Sequence, residues 1–582
     1  MNTKELKKRW NQALDRLGMR LADMDSLPLL SLLALLAGCL SGAVIVAFRL
    51  LIESNQASIL PGNMVENYEG LSPLYRFLLP TGGGLMIGLI WHFLSTEIRQ
   101  VGVVHVMERM AYHQARLPWR NGVAQFFGAA LSIISGHSVG REGPSVHLGA
   151  TSGSQLGKWL RLPNNSIRTL VACGVAAAIA ASFNTPLAGV IFAMEVVMME
   201  YTLAGFAPVI LAAVSATTVT RAVFGHAPVF YIPNLQLGSL LELPYVVLMG
   251  LVLGVMAALF THLLQKITPA LPDWPIWTRL TLGGAIVGVC GLFVPEIMGI
   301  GYDTVDKALL GQIGLVSLIT IATVKLCATA ACLGLGLPGG LIGPTFFIGA
   351  ATGGAMGLIA ANWMPGEVAS PSFYALIGMG TMMGATLQAP LAALTAMLEM
   401  TANPNIILPG MLALITAGLV SREVFGKESV YLELMRVRGL DYRNDPVMQA
   451  LRRIGVASAM ERRFTTLPQI AGITEARESL IDKPRWILIQ EPSGARHLMQ
   501  AADLARFLQD AETDSDSIDL ADIPAKRQQV TPIDFQASLQ EALAKLDDSE
   551  AEALYVVRQT VPGIERVYGI LVREDIESSY RL

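Results

Sequence analysis

Charge is scarce in this sequence: only 15% of its 582 residues are Asp, Glu, Lys or Arg, where soluble domains carry about a quarter. So thin a polar coat does not clothe a soluble surface. With 52% of residues hydrophobic, a polytopic membrane protein is expected. A basic excess is missing too. The net charge is −4, so nucleic acid is not among the expected partners. Cysteine is sparse: Cys39, Cys173, Cys290, Cys327 and Cys332 sit in apolar stretches, without CxxC spacing. Neither a disulfide framework nor a metal site is expected, and the thiols read as small packed hydrophobes. Residues 1–26 lack the early apolar core and small-residue cleavage site of a secretory leader. Leu6, Trp10, Leu14, Leu17 and Leu21 instead share one helical face, with Lys7, Lys8, Arg9 and Arg16 elsewhere. That pattern predicts an interfacial helix on the cytoplasmic side, with a plain solvated helix as the alternative.

Glycine is what the chain has in abundance, 55 residues of it, and the most informative run is Gly140-Arg141-Glu142-Gly143-Pro144. It sets a base and an acid side by side in apolar surroundings, where charge is costly and usually functional. The run has an echo. Gly140, Gly143, Pro144, Gly149, Ala150, Gly153 and Gly157 recur as Gly340, Gly343, Pro344, Gly349, Ala350, Gly353 and Gly357, at a constant offset of 200 residues. A second echo, offset by 204, matches Gly174, Ala181, Pro186, Leu187, Ala188 and Glu195 with Gly378, Ala385, Pro390, Leu391, Ala392 and Glu399. The membrane domain, 27–440, therefore reads as two homologous halves, about 27–223 and 241–440.

Each copy places Gly-Pro ahead of a small-residue, apolar segment, which predicts a loop feeding the N-terminus of a buried helix. Such an end carries unpaired N–H groups and about half a positive charge, so it attracts anions. Two of them in matching halves point to a transporter-type site; spacing alone does not say whether the second half is inverted, and inversion would place the two helix starts face to face. The N–H groups near Gly140, Arg141, Glu142, Gly143 and Pro144, and near Leu341 and Ile342, would replace part of an anion's hydration. Stripping that hydration costs on the order of tens of kcal/mol, so several helix ends must converge. Several apolar segments are too short or too broken by Gly and Pro to cross as simple spans, and others are long enough to hold two helices meeting at a break. From 441 to 582 the composition turns polar. Strands are expected at 485–489 and 553–557, each followed by a turn-rich loop and a helix start, giving a small α+β domain.

The motifs resemble those of the CLC family of chloride channels and chloride/proton antiporters. Gly140 to Pro144 matches the family's GREGP run, and Gly340-Leu-Ile-Gly-Pro344 is similar to its GxFxP run, with Ile342 in place of phenylalanine. Phe183-Asn-Thr-Pro-Leu-Ala-Gly189 resembles a further family stretch, and 441–582 is similar to a paired CBS-type regulatory module. The resemblance implies an all-α polytopic membrane protein of broken and tilted helices in two inverted halves, with a cytoplasmic CBS-like tail. It implies a gated, voltage-gated-type chloride channel or antiporter in the inner membrane, homodimeric, with both termini cytoplasmic. Chloride is the transported ligand and no cofactor is implied. Glu142 would be the gate, a tethered anion released by protonation, and Tyr431 would offer its hydroxyl to the central anion. Arg141 would keep the local potential favourable to anions.

Two departures carry weight. Val101 stands where a serine hydroxyl usually meets the anion, and Val196 stands where antiporters carry a proton-relaying glutamate. The second favours passive conduction, with coupled exchange by a non-standard internal route as the alternative. Asp503 and Asp575 match positions where CBS modules hold a nucleotide ribose, and a helix-cap role is equally compatible.

Other readings compete at single residues. Gly136-His-Ser138-Val-Gly140 fits the GxSxG pattern of serine hydrolases, but that motif needs a strand and a soluble sheet; a membrane hydrolase is the remote alternative. His137, Glu142 and His147 are spaced by five, about 140° apart on a helix, which opposes a metal site. Glu195 and Glu399 read as structural carboxylates at helix ends or a subunit interface. Lys325, alone in an apolar run, either raises the potential along an anion path or snorkels.

Overall fold

The computed structural model describes residue 21 and residues 27–201, 203–226, 230, 236–364, 368–440, 446–491, 496–510, 516–561 and 564–579. Apart from Leu21, the expected interfacial helix lies outside them. Two compact units divide the chain. One comprises residues 31–156 and 168–442, and the other includes 157–167 and 443–582.

The first unit is helical. Among the described residues nine helices are long and apolar enough to cross a membrane. In most of them fewer than half of the residues in the spanning window are buried, but in Asn164–Phe183 and Ile342–Trp363 94% and 89% are. These two form the centre, and small residues let them do so. A Cβ on Gly149 would lie 2.1 Å from the carbonyl oxygen of Gly174, and one on Gly349 2.3 Å from that of Gly378. The same close approach thus occurs once in each half, between Glu142–Trp159 and Asn164–Phe183 and between Ile342–Trp363 and Pro371–Leu387. That contact is the physical content of the repeated glycines.

Two of the long apolar segments, 165–200 and 372–400, are each broken into two helices. Asn164–Phe183 gives way to Pro186–Phe192, and Pro371–Leu387 to Pro390–Thr401. At the breaks Asn184 and Gln388 take φ of 60° and 51°, the left-handed conformation that ends a helix, and proline restarts it. The restarted helices cap one another across the halves. Glu195 accepts from the N–H groups of Leu391 (3.2 Å) and Ala392 (2.7 Å), and Glu399 from those of Leu187 (3.0 Å) and Ala188 (2.7 Å). Each carboxylate satisfies the orphan donors of the other half's helix. These two glutamates are helix caps.

The second unit holds a six-stranded sheet in the order β1-β3-β4-β6-β7-β8, with β2 paired to β5 apart from it. The strands are β1 Phe464–Pro468, β2 Ile470–Gly472, β3 Trp486–Gln490, β4 Arg496–Gln500, β5 Ser517–Asp519, β6 Gln528–Asp534, β7 Ala553–Val561 and β8 Ile564–Val572. β1-β3-β4 and β6-β7-β8 repeat one pattern, a parallel pair followed by an antiparallel hairpin. The two expected strands are β3 and β7. Their hairpins lead into the helices Ala501–Asp510 and Arg573–Ser578.

Candidate functional site

The site is built on a backbone contact. Gly140 N–H donates to the Gly340 carbonyl at 2.7 Å and Gly340 N–H donates back at 2.8 Å, an antiparallel bridge between equivalent residues of the halves. The chains run in opposite directions there, so the helices they feed, Glu142–Trp159 and Ile342–Trp363, start side by side and leave in opposite senses. Only glycine permits this. A Cβ on Gly340 would lie 2.5 Å from the Gly143 nitrogen, and one on Gly143 2.7 Å from the Gly340 Cα. The two helices begin alike, with Ser145 N–H donating to Arg141 O (3.0 Å) and Thr345 N–H to Leu341 O (2.9 Å). Pro144 and Pro344 lie in their first turns, where the missing N–H costs nothing.

Glu142 is wholly buried. Its Oε2 accepts from the N–H of Gly343 at 3.0 Å, an orphan donor in the first turn of the opposite half's helix. Its Oε1 accepts from the Tyr302 hydroxyl in a short hydrogen bond. A Cβ on Gly140 would fall 2.4 Å from Oε2, so the glycine leaves the room that the carboxylate occupies. Arg141 does not pair tightly with its neighbour. Its Nε is 4.0 Å from Glu142, its Nη1 is 3.3 Å from Glu53, and its guanidinium carbon lies 5.3 Å from the Tyr302 ring centre. The carboxylate therefore rests in the place an anion would take, held by one backbone and one side-chain donor.

Beside the bridge, a cavity of about 230 Å³ is lined by Val101, Gly102, Gly143, Gly340, Leu341 and Tyr431, among others. Val101 is the residue before the helix Gly102–Tyr112 and, being valine, gives that end no side-chain cap. The Tyr431 hydroxyl is buried and has no hydrogen-bond partner among the described residues. An unpaired hydroxyl and the starts of Gly102–Tyr112, Glu142–Trp159 and Ile342–Trp363 in one small cavity suit an anion. Arg99 and Arg438 also line it, and neither had drawn attention in the sequence. Ile342 is buried and does not line the cavity.

The remaining candidates lie elsewhere. Val196 is buried in a π-helical turn, Ala193–Met198. Lys325 neither snorkels nor lines the cavity. Its wholly buried ammonium donates to the carbonyls of Ile297 (2.9 Å), Gly299 (2.9 Å) and Ile300 (3.1 Å), and so braces the loop that leads to Tyr302. Ser138 is buried against Thr329, Oγ to Oγ1 at 2.9 Å, in a helical surround without the strand that a nucleophile elbow needs. In the second unit Asp503 and Asp575 occupy first turns of the two hairpin-following helices. Asp575 lies 3.9 Å from Arg485, and burial pushes its carboxyl up. A cleft of about 920 Å³ in that unit is lined by neither aspartate, and its Arg485, Lys526 and Arg573 are offset by Glu550, Glu552, Glu574 and Glu577.

This geometry has counterparts. The family model for voltage-gated chloride channels matches residues 83–422. The chain belongs to the CLC family. A chloride channel protein described as ClcB-like from Ralstonia nicotianae is 35% identical over 404 residues, 68% of this chain and 94% of the relative. The voltage-gated ClC-type chloride channel ClcB of Escherichia coli is 33% identical, over 69% of this chain and 97% of its own. The H(+)/Cl(−) exchange transporter ClcA of Vibrio cholerae is 32% identical, over 54% and 69%. Among solved structures, a eukaryotic CLC transporter covers 94% of this chain and is itself covered to 97%, with a TM-score of 0.59 and 18% identity; that likeness shows the fold. CLC proteins are ion channels or transporters, so this chain is a multi-pass membrane transport protein and not an enzyme. The relatives' names divide between channel and exchanger.

Proposed function

We propose that the chain conducts chloride, or a similar small anion, passively, and that Glu142 is the gate. The observation that carries this reading is the Gly343 N–H donating to Glu142 Oε2 at 3.0 Å. A helix start in one half is filled by a carboxylate from the other, as a permeating anion would fill it. Protonation removes the charge and frees the side chain to leave. The backbone donors are neutral, so they bind an anion weakly enough to release it. Tyr431, Val101 and the helix starts around the 230 Å³ cavity form the next anion position in this reading. Passive conduction is favoured by Val196, which holds no proton where the resembled antiporters relay one.

We place the protein in the inner membrane as a homodimer with both termini cytoplasmic, each subunit holding its own path. A cytoplasmic N-terminus and one crossing by Leu27–Ile59 put the 60–72 loop on the outer face. The tail is read as a CBS-type regulatory pair, with no nucleotide assigned to Asp503 or Asp575.

One observation favours the second reading, proton-coupled exchange. His105 Nδ1 and His147 Nε2 lie 2.9 Å apart in a buried pair, and the helix Gly102–Tyr112 that carries His105 packs against Ala193–Met198. Imidazoles so linked can pass a proton beside the position where Val196 cannot. Anion flux from purified protein in liposomes, with simultaneous proton recording, decides between the two. Chloride flux without uphill proton movement is expected, and a fixed ratio of protons driven by a chloride gradient would replace the channel with an exchanger.

A further inference from the structure

Glu142 Oε1 is held by a residue outside every motif, Tyr302. Tyr302 opens the short helix Tyr302–Leu309 and is fixed on all sides. The Arg141 guanidinium lies over its ring at 5.3 Å, and Phe230 meets the ring edge-on at 5.1 Å. Gly301, just before it, has φ of 85°, and a Cβ there would lie 2.8 Å from the Phe347 ring. Lys325 braces the preceding carbonyls. Finally, the Tyr302 N–H donates to Glu66 Oε2 at 2.7 Å. Glu66 itself adopts φ of 65°, a conformation that costs a non-glycine residue about 1 kcal/mol or more and that the packing must impose. Two hydrogen bonds, joined through the covalent frame of Tyr302, thus link the 60–72 loop to Glu142.

The geometry points to Tyr302 as the residue that positions the gate carboxylate, with Glu66 as the anchor that positions Tyr302. The inference rests on the gate reading of Glu142. The phenol donates to the carboxylate and so holds it in the blocking position. Glu66 acts one step back, through the amide at the start of the tyrosine's helix.

The charged groups that bear on Glu66 are Asp303 on the Tyr302 helix, Arg141 from the glycine-rich loop, and Lys325; Lys307 pairs with Asp303 and with Glu69. Tyr68 and Glu69 share its own loop, and Arg49 and Glu53 face Arg141 from Leu27–Ile59. Burial, with help from Asp303, raises the Glu66 carboxyl to about 7 against the opposing pull of Arg141, the Tyr302 amide and Lys325. Above that pH Glu66 is charged and grips the Tyr302 amide. Below it the acceptor is neutral, the grip weakens, and Glu142 is released more readily. Flux therefore rises as outer pH falls through the neutral range.

The test is chloride flux from the full chain in liposomes, measured against external pH for wild type, Tyr302→Phe, Glu66→Gln, Glu142→Gln and the double variant Tyr302→Phe/Glu142→Gln. Tyr302→Phe should raise flux at neutral pH roughly tenfold through loss of a hydrogen bond to a charged group, and should blunt the neutral-range acid activation, because Glu66 then has no phenol to act through. Glu66→Gln should remove the neutral-range step and keep the more acidic one. The double variant should match Glu142→Gln, which also shows that the phenylalanine protein folds. Tyr302→Phe behaving as wild type, or adding to Glu142→Gln, overturns the role of Tyr302; a neutral-range step surviving in Glu66→Gln overturns that of Glu66. If Glu142→Gln itself matches wild type, the gate reading falls, and the inference with it.

Discussion

Gly140 and Gly340 exchange both backbone hydrogen bonds across an antiparallel bridge, at 2.7 and 2.8 Å. Two equivalent residues paired in this way place a local twofold axis between them. The helices that follow depart in opposite directions, as inverted halves require. The bridge also puts the positive end of each helix next to the other, where a single carboxylate from one half can reach an amide of the other.

The bridge leaves no room for a methyl group. A Cβ on Gly340 would meet backbone, the Gly143 nitrogen at 2.5 Å and its Cα at 3.0 Å, and backbone cannot turn aside as a side chain can. Gly340→Ala is expected to destabilise the protein by about 1–3 kcal/mol and to abolish anion flux. Thermal unfolding in detergent reads the first effect and liposome flux the second. Unchanged flux would separate the bridge from the conduction path.

Lys325 separates two ideas about a buried cation. An electrostatic role in the path predicts that Lys325→Met reduces flux and leaves stability alone. The three carbonyls it satisfies predict the reverse emphasis. Removing the ammonium orphans Ile297, Gly299 and Ile300 and should cost roughly 3 kcal/mol or more, seen as a fall in Tm, with partial rescue by Lys325→Arg.

How much of this was legible in the sequence follows from what each residue touches. Gly143, Gly149, Gly340 and Gly349 face backbone at 2.1 to 2.7 Å, while Gly140 and Gly343 leave room for the Glu142 carboxylate, so a need for glycine marked the sequence twice. Glu195 and Glu399 were visible for the same reason, since each caps a helix that the repeat had already located. Tyr302 was not. The 200-residue offset carries Gly102 onto Tyr302, but the residue type changes there, and a tyrosine at a helix start has no pattern of its own. Lys325 was placed in its apolar run correctly, yet its partners are carbonyls, which no sequence displays. In the second unit β3 and β7 were readable as apolar runs. β1, with two threonines and a proline in five residues, and β6, with two glutamines, became strands by pairing in parallel with them.

The reciprocal caps predict a symmetric energetic effect. Glu195→Ala and Glu399→Ala each orphan two helix-start N–H groups, at 2.7 to 3.2 Å from the lost oxygens. Each should cost about 1–2 kcal/mol, and the Gln variants less. Because each glutamate is carried by the helical segment that the other caps, the two sites are coupled and the double variant should depart from the sum. A much larger loss in one of them would assign that glutamate a second task, read as altered flux.

Val101 offers the sharpest handle on selectivity. It precedes Gly102–Tyr112 and shares the 230 Å³ cavity with Tyr431, whose hydroxyl lacks a partner among the described residues. An anion there meets one hydroxyl, helix starts and a methyl surface. Val101→Ser adds a second hydroxyl donor at a position that also favours serine as a helix cap. A hydrogen bond to a charged group contributes about 1.5–3 kcal/mol, so chloride should bind at least tenfold more tightly by calorimetric titration. Tyr431→Phe should weaken it by a similar factor. Tighter binding does not imply faster flux, because release must stay easy. Competition between chloride and nitrate should therefore shift toward chloride in Val101→Ser while maximal flux falls. Unaltered binding in both variants would place the resting anion outside this cavity and leave the Glu142 position, at the start of the opposite helix, as the binding site nearest the gate.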